Sequence, residues 1–271
     1  PPSDVVSTMP VASRIMPFCA SGNDTARMLD PHPVSPPPTS TSLQAIIYQT
    51  FAATGDTDLH AVQEDGTAPT PLATTAQREH FRGISSDGWV VYDRDVSDIE
   101  THLVSVRVSG GEMRQLDASS SGKLFRGFTP DNRVIYEKST ATGSAIHSIR
   151  PDGTAPVVLV DEPNTIAQFI DATPDGRVLY QACQRSQDPA APPRCIDTGL
   201  YSVAADGSDR RLLAPGRPRV ALITAEGRVL YEADAGGHTD LLSISANGGA
   251  VVTLADSPDD EWDPRLLPDG R

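Results

Sequence analysis

The stretch TPDGRVLYQ at 173–181 decides the fold. Pro174 presets a type I turn, Gly176 takes the left-handed position, and an apolar run begins directly after Arg177. The phrase returns as TPDNRVIYE at 129–137 and TAEGRVLYE at 224–232, and PDGR stands again at 268–271. A turn that leads into an apolar run, met several times, points to a repeating hairpin.

The tyrosine closing each run gives the period. Tyr48, Tyr92, Tyr136, Tyr180 and Tyr231 are spaced by 44, 44, 44 and 51 residues. The longer interval contains the segment between Cys183 and Cys195, which accounts for the excess. A second strand follows each tyrosine: DLHAV (58–62), HLVSV (102–106), AIHSI (145–149), GLYSV (199–203) and DLLSI (240–244). Each ends at a turn pair, Asp65-Gly66, Gly110-Gly111, Asp152-Gly153, Asp206-Gly207 or Asn247-Gly248, and such pairs supply the positive φ of tight hairpins. A third strand comes next (TPLAT, RQLDA, VVLVD, RRLLA, VVTLA). A fourth precedes the following phrase, at 81–85, 125–129, 169–173, 220–224 and 264–267. Four short strands every 44 residues or so, apolar on both faces, is the pattern of a β-propeller blade.

At these residues the chain resembles the WD40-like repeat of the TolB-like β-propeller family. TPDGRVLY followed by GLYSVAADGSDRRLL is similar to that family's SPDGRxIAF and DIYxxDxDGxxxRxLT. The resemblance covers about residues 43–271 and implies an all-β propeller of four-stranded blades. It implies little about activity, because such propellers serve as periplasmic adaptors, gating domains of enzymes, lyases and binding proteins. The chain departs from the pattern where His60, His147 and Leu242 replace the second-strand aromatic, and no segment reads as the amino-terminal α/β domain of TolB.

Residues 43–271 therefore read as propeller repeats, and residues 1–42 as an amino-terminal segment, either a divergent closing blade or a Pro-rich linker. Ser40–Tyr48 aligns without a gap to Ala172–Tyr180, which puts a first strand at 33–39 and the outer strands of a further blade within 4–31. Residues 264–267 would complete that blade. This scheme predicts six blades closed by pairing of the two terminal segments; five blades is the alternative.

A net charge of −14 repels phosphate backbones and argues against nucleic-acid binding. No apolar run approaches 18 residues, so the sequence predicts no membrane-spanning helix. Any targeting signal upstream of Pro1 is out of view. Cys183 and Cys195 bracket a polar, Pro-rich connection and are expected to form a disulfide, pointing to a periplasmic or secreted location; two free surface thiols is the alternative.

No nucleophile elbow, phosphate loop or Cys–His metal spacing is present, and the six histidines are scattered. His60 and His147 hold equivalent repeat positions, which predicts packing rather than ligation. In DSPDDEWDPR (256–265), Asp259, Asp260 and Asp263, with Glu261 between them, are candidates for Ca²⁺, against the reading of a solvated loop; no cofactor is otherwise expected. Arg82, Arg126, Asp171 and Arg265 fall on the expected innermost strands. They are candidates for a channel site that takes an anion or carboxylate, against the reading of ion pairs between blades. The leading functional expectation is a non-catalytic, monomeric extracytoplasmic scaffold that binds a protein or peptide. The alternatives are a propeller hydrolase or lyase with a channel-mouth site, and the gating propeller of a larger peptidase.

Overall fold

The structure, a computed structural model, describes residues 45–53, 55–97, 100–186 and 195–267. Every regular element among them is a β-strand. The first sheet holds β1 (Ala45–Phe51), β2 (Thr57–Gln63) and β3 (Thr70–Ala73). The second holds β4 (Glu79–Ile84), β5 (Trp89–Ser97), β6 (Glu100–Arg107) and β7 (Arg114–Asp117). The third holds β8 (Lys123–Phe128), β9 (Val134–Ser139), β10 (Ser144–Ile149) and β11 (Val157–Val160). The fourth holds β12 (Thr165–Ala172), β13 (Val178–Arg185), β14 (Cys195–Val203) and β15 (Arg211–Pro215). The fifth holds β16 (Arg219–Ile223), β17 (Arg228–Asp234), β18 (Thr239–Ser245) and β19 (Val252–Ala255). Each is an antiparallel meander in chain order. A parallel pairing of Ser144 with Ile166 joins the third and fourth into one eight-stranded ladder. Thr57 and Arg78 make the same parallel bridge between the first and second sheets.

The repeated phrase explains the turns. Thr173 donates its backbone N–H to Arg177 O at 2.8 Å, and its hydroxyl accepts the Arg177 N–H at 2.9 Å. Thr129 with Arg133, and Ser85 with Trp89, are locked in the same way. The arginine after the turn is a structural part. Arg177 is buried and donates to the Asp209 carbonyl at 2.6 Å, to the Asp209 carboxylate at 2.9 Å and to Ser202. Ser202 in turn donates to Ala246 O of the next sheet at 2.5 Å, and Ser105 does the same to Pro151 O. The conspicuous Arg and Ser of the repeat thus satisfy buried polar groups between stacked sheets.

Four apolar cores lie between the five successive sheets. Leu59 and Leu72 meet Val90, Tyr92 and Val104; Val91, Leu103 and Leu116 meet Val134 and Tyr136. Ile135, Ile146 and Leu159 meet Val178 and Tyr180; Leu179, Leu200 and Leu213 meet Val229 and Tyr231. Val90 and Val91 face opposite neighbours, as strands buried on both faces must. The substituted second-strand positions are packing sites: His60 stacks on Tyr48 and His147 on Tyr136, with centroids 5.2 and 5.3 Å apart, where Tyr201 stacks on Tyr180 at 5.4 Å. Cys183 and Cys195 form a disulfide with Cα atoms 5.3 Å apart.

One expected element is absent. Residues 264–267 are not a strand. The chain just before them follows the path of a first strand: Glu261 N–H donates to Thr239 O at 2.8 Å, at the place where Thr57 and Ser144 receive β4 and β12. Asp263 then adopts φ of 57° and turns the backbone out of the extended direction. The strands expected within 4–39 lie outside the described residues, and so does the closure of a ring through them.

Candidate binding site

The first strand of each complete sheet carries a β-bulge at one repeat position, between Phe81 and Gly83, Phe125 and Gly127, Phe169 and Asp171, and Val220 and Leu222. A bulge inserts one residue and re-aims its side chain. Arg82 and Arg126 are the inserted residues of the second and third sheets. The glycine after Arg82 has its own cause. A Cβ at Gly83 would meet Phe128 and Phe125 of the next sheet at 3.0 and 3.1 Å. Gly83 therefore lets the first strands of the second and third sheets approach closely, whereas a Cβ at Gly127 would meet nothing within 4 Å.

Each arginine lies over a carboxylate on the neighbouring strand. Arg82 Nε donates to Asp93 Oδ2 at 2.5 Å, and Arg126 Nη2 to Glu137 Oε2 at 2.6 Å. In the fifth sheet Arg219 Nη1 donates to both oxygens of Glu232, at 2.7 and 2.8 Å. The Asp93 and Glu232 carboxylates are buried and that of Glu137 is half-buried, with side chains 4, 7 and 12% exposed, while the guanidiniums above them are 40, 65 and 29% exposed. Burial pushes the Asp93 carboxyl above its ordinary value, and the Arg82 hydrogen bond and charge only partly offset this. Its other oxygen, Oδ1, is buried without a hydrogen-bond partner, as is Nε of Arg126. Pairing with one acid uses one or two of the five donors of a guanidinium. The three guanidiniums remain partly exposed beside their acids.

The acids belong to a series not singled out from the sequence, although its signal was regular. The residue after each anchoring tyrosine is Gln49, Asp93, Glu137, Gln181 or Glu232. Four of these latch onto the backbone of the following segment. Gln49 and Gln181 donate to the carbonyls of Glu79 and Pro218 at 2.8 and 2.6 Å. Glu137 and Glu232 accept the N–H groups of Phe169 and Asp263 at 2.7 and 3.1 Å. An amide donates where a carbonyl is offered, and a carboxylate accepts where an N–H is offered.

The four expected channel residues each have a local partner. Arg82 and Arg126 occupy equivalent bulges, each paired within its own sheet and not between sheets. Asp171 follows the bulge in the fourth sheet, is exposed, and accepts the N–H of Ala172 at 2.8 Å. Arg265 is exposed and pairs with Asp263 at 2.9 Å. The acidic run is dispersed in local bonds. Asp260 accepts the Thr239 N–H at 2.8 Å, Glu261 accepts from Ser257, and Asp263 is held by Arg265. Among the described residues no three His, Cys, Asp or Glu side chains converge as a metal site.

No family model matches the chain, and no curated protein matches its sequence. Solved structures do match in shape. The Porphyromonas gingivalis dipeptidyl peptidase 4 aligns at TM-score 0.56 and 11% identity, over 79% of this chain and 34% of that one. A puromycin hydrolase aligns at TM-score 0.50 and 16% identity, over 84% of this chain and 39% of that one. A putative TolB from Agrobacterium tumefaciens aligns at TM-score 0.44 and 17% identity, over 85% of this chain and 88% of that one. The chain thus spans little more than a third of each of the first two proteins, and at these identities the likeness is one of fold. Five stacked antiparallel sheets with no helix among the described residues, together with the matches to the peptidase and the puromycin hydrolase, make this an all-β fold of the propeller type.

Proposed function

We propose that the chain is a non-catalytic extracytoplasmic scaffold that binds an acidic segment of a protein or peptide across its first-strand face. The observation that carries this reading is the pair Arg82 and Arg126. They are the inserted residues of successive bulges, each pairing with an enclosed carboxylate while its guanidinium stays partly exposed. Planar guanidiniums with open donors suit bidentate recognition of a carboxylate. The Cys183–Cys195 bridge supports an oxidising compartment. A six-bladed ring, with the slot after Glu261 completed by the amino-terminal segment, belongs to the same reading.

Titration with an Asp/Glu-containing peptide library, against the same peptides with Asn/Gln, tests it. Arg82→Lys and Arg126→Lys keep the charge but lose the planar fork, so each should weaken acidic binders by about tenfold. Equal binding of acidic and amide peptides, or lysine variants that bind like the parent, overturns the reading. The likeness in shape to two hydrolases favours one alternative, the gating propeller of a larger peptidase. Turnover of dipeptidyl or prolyl chromogenic substrates by the protein would support that alternative instead.

A further inference from the structure

The two sulfurs of the Cys183–Cys195 bridge stand in different surroundings. Cys183 belongs to β13 and lies opposite Thr198 of β14, whereas Cys195 opens β14 and lies opposite Arg185. A bulge between Gln184 and Arg185 shifts the register there, so the cysteines meet diagonally across the ladder. Cys183 is almost fully buried and Cys195 is half-buried.

The end of β15 brings a second cation to Cys195. Gly216 follows that strand with φ of 79°, and its N–H donates to Thr198 O at 2.9 Å. This left-handed turn lays Arg217 beside the start of β14, where its Nη2 stands 3.5 Å from Cys195 Sγ. Arg78 holds the same repeat position and donates to a backbone carbonyl, that of Gly55, at 2.8 Å. Arg217 meets a sulfur instead, and among the described residues it has no other polar partner. A disulfide sulfur is a poor acceptor for a guanidinium, while a thiolate or a carboxylate is a strong one. A cavity of about 90 Å³ lies against the bridge, lined by Cys183, Cys195, Ile166, Gln168, Thr198 and Arg217 among others. It has room for the sulfur and adjoining methylene of a small thiol, with the rest of that molecule over the exposed Arg217.

We infer that the bridge is a site of exchange with a small thiol that carries a carboxylate, and that Cys195 is the sulfur released. The incoming thiolate attacks Cys183 Sγ. The new S–S bond joins the thiol to Cys183, and the old one breaks with its electron pair passing to Cys195 as a thiolate. No oxidant or reductant beyond the thiol is consumed. A thiolate departs faster where positive charge stabilises it. Arg217 touches Cys195 and Arg185 lies opposite it, while Thr198, opposite Cys183, is neutral. The five donors of a guanidinium allow Arg217 to hold the released sulfur and the carboxylate of the incoming thiol together. The inference does not rest on the recognition proposed for Arg82 and Arg126.

The test uses the full chain with Cys19 alkylated beforehand, so that only the bridge can react. Glutathione or cysteamine is added at equal thiolate concentration, the first products are trapped with N-ethylmaleimide, and peptides are mapped by mass. Glutathione is expected on Cys183 and the maleimide on Cys195. Glutathione should react about tenfold faster than cysteamine, although the net charge of −14 alone favours the cationic thiol. Arg217→Ala should slow the glutathione reaction by about tenfold, the loss of one charged hydrogen bond to the leaving sulfur. Arg217→Glu should invert the preference between the two thiols. Arg217 is exposed, so neither substitution disturbs a core. Glutathione divided equally between the two cysteines, a parental rate in Arg217→Ala, or an unchanged preference in Arg217→Glu each overturns the inference.

Discussion

At Asp93, burial and pairing act in opposite directions. Its carboxylate is almost fully enclosed and Arg82 supplies the compensating charge. Replacing Arg82 by Ala leaves a buried anion without its cation, a change that costs about 1–3 kcal/mol once the partial exposure of the arginine is discounted. The pH dependence has a definite sign. The folded-state pKa of Asp93 lies above its ordinary value, and loss of Arg82 raises it further. The deficit of Arg82→Ala is therefore full above that raised pKa and disappears as pH falls through it, because a protonated carboxyl needs no cation. Urea melts at about pH 8 and about pH 4 should show a large difference from the parent shrinking to little; a constant difference sinks the assignment. The arginine itself was visible in the sequence, whereas its partner was not. A bulge breaks the alternation by which cross-strand partners are counted, so nothing in FRG announces a bond to the residue after Tyr92.

Strands and turns were the most legible elements, because Asp-Gly, Asn-Gly and Thr-Pro-Asp-Gly act locally and need no tertiary help. The first-strand slot at the carboxyl end was less so. The periodicity carries a strand to 264–267, but a strand needs a hairpin partner, and the turn at Asp263 comes first. The bridges between sheets were also hidden, since a close approach is read only from what it leaves out. Gly143 is such a place: a methyl there would fall inside the van der Waals envelope of the Thr165 carbonyl, beside the Ser144–Ile166 bridge. Gly143→Ala is expected to lower stability by about 1–3 kcal/mol, the usual cost of overpacking, while Gly111→Ala, with nothing within 4 Å but a φ of 116°, tests backbone strain alone. Equal melting of Gly143→Ala and the parent would contradict the close approach. For the β13–β14 connection, replacing Cys183 and Cys195 together by Ala should cost about 3 kcal/mol in the chain-entropy model. Thiol titration of the unreduced, denatured protein should find one group, Cys19. Three groups would refute the bridge and weaken the extracytoplasmic assignment.

Among the described residues, five sheets enclose four cores, and the first and last of these sheets carry exposed apolar side chains. Ile46 and Tyr48 lie on the first and Val252 and Leu254 on the last, and Phe51 and Trp262 are exposed nearby in the chain. Apolar faces and free strand edges of this kind promote association unless covered. If residues 1–30 cover them, deleting that segment lowers the melting temperature sharply and promotes oligomers. A deletion variant that melts within about 2 °C of the full chain and remains monomeric rejects the six-bladed closure. The period of the repeat showed that such sheets exist and stack, but closure depends on residues outside that period, where the repeat supplies no guide. The Ser144–Ile166 bridge has a consequence of a different kind. It makes β8 to β15 a continuous hydrogen-bonded ladder, so the third and fourth sheets should open as one cooperative unit, while sheets without such a bridge open separately. In native-state hydrogen exchange the amides on both sides of Gly143 should share a single protection factor.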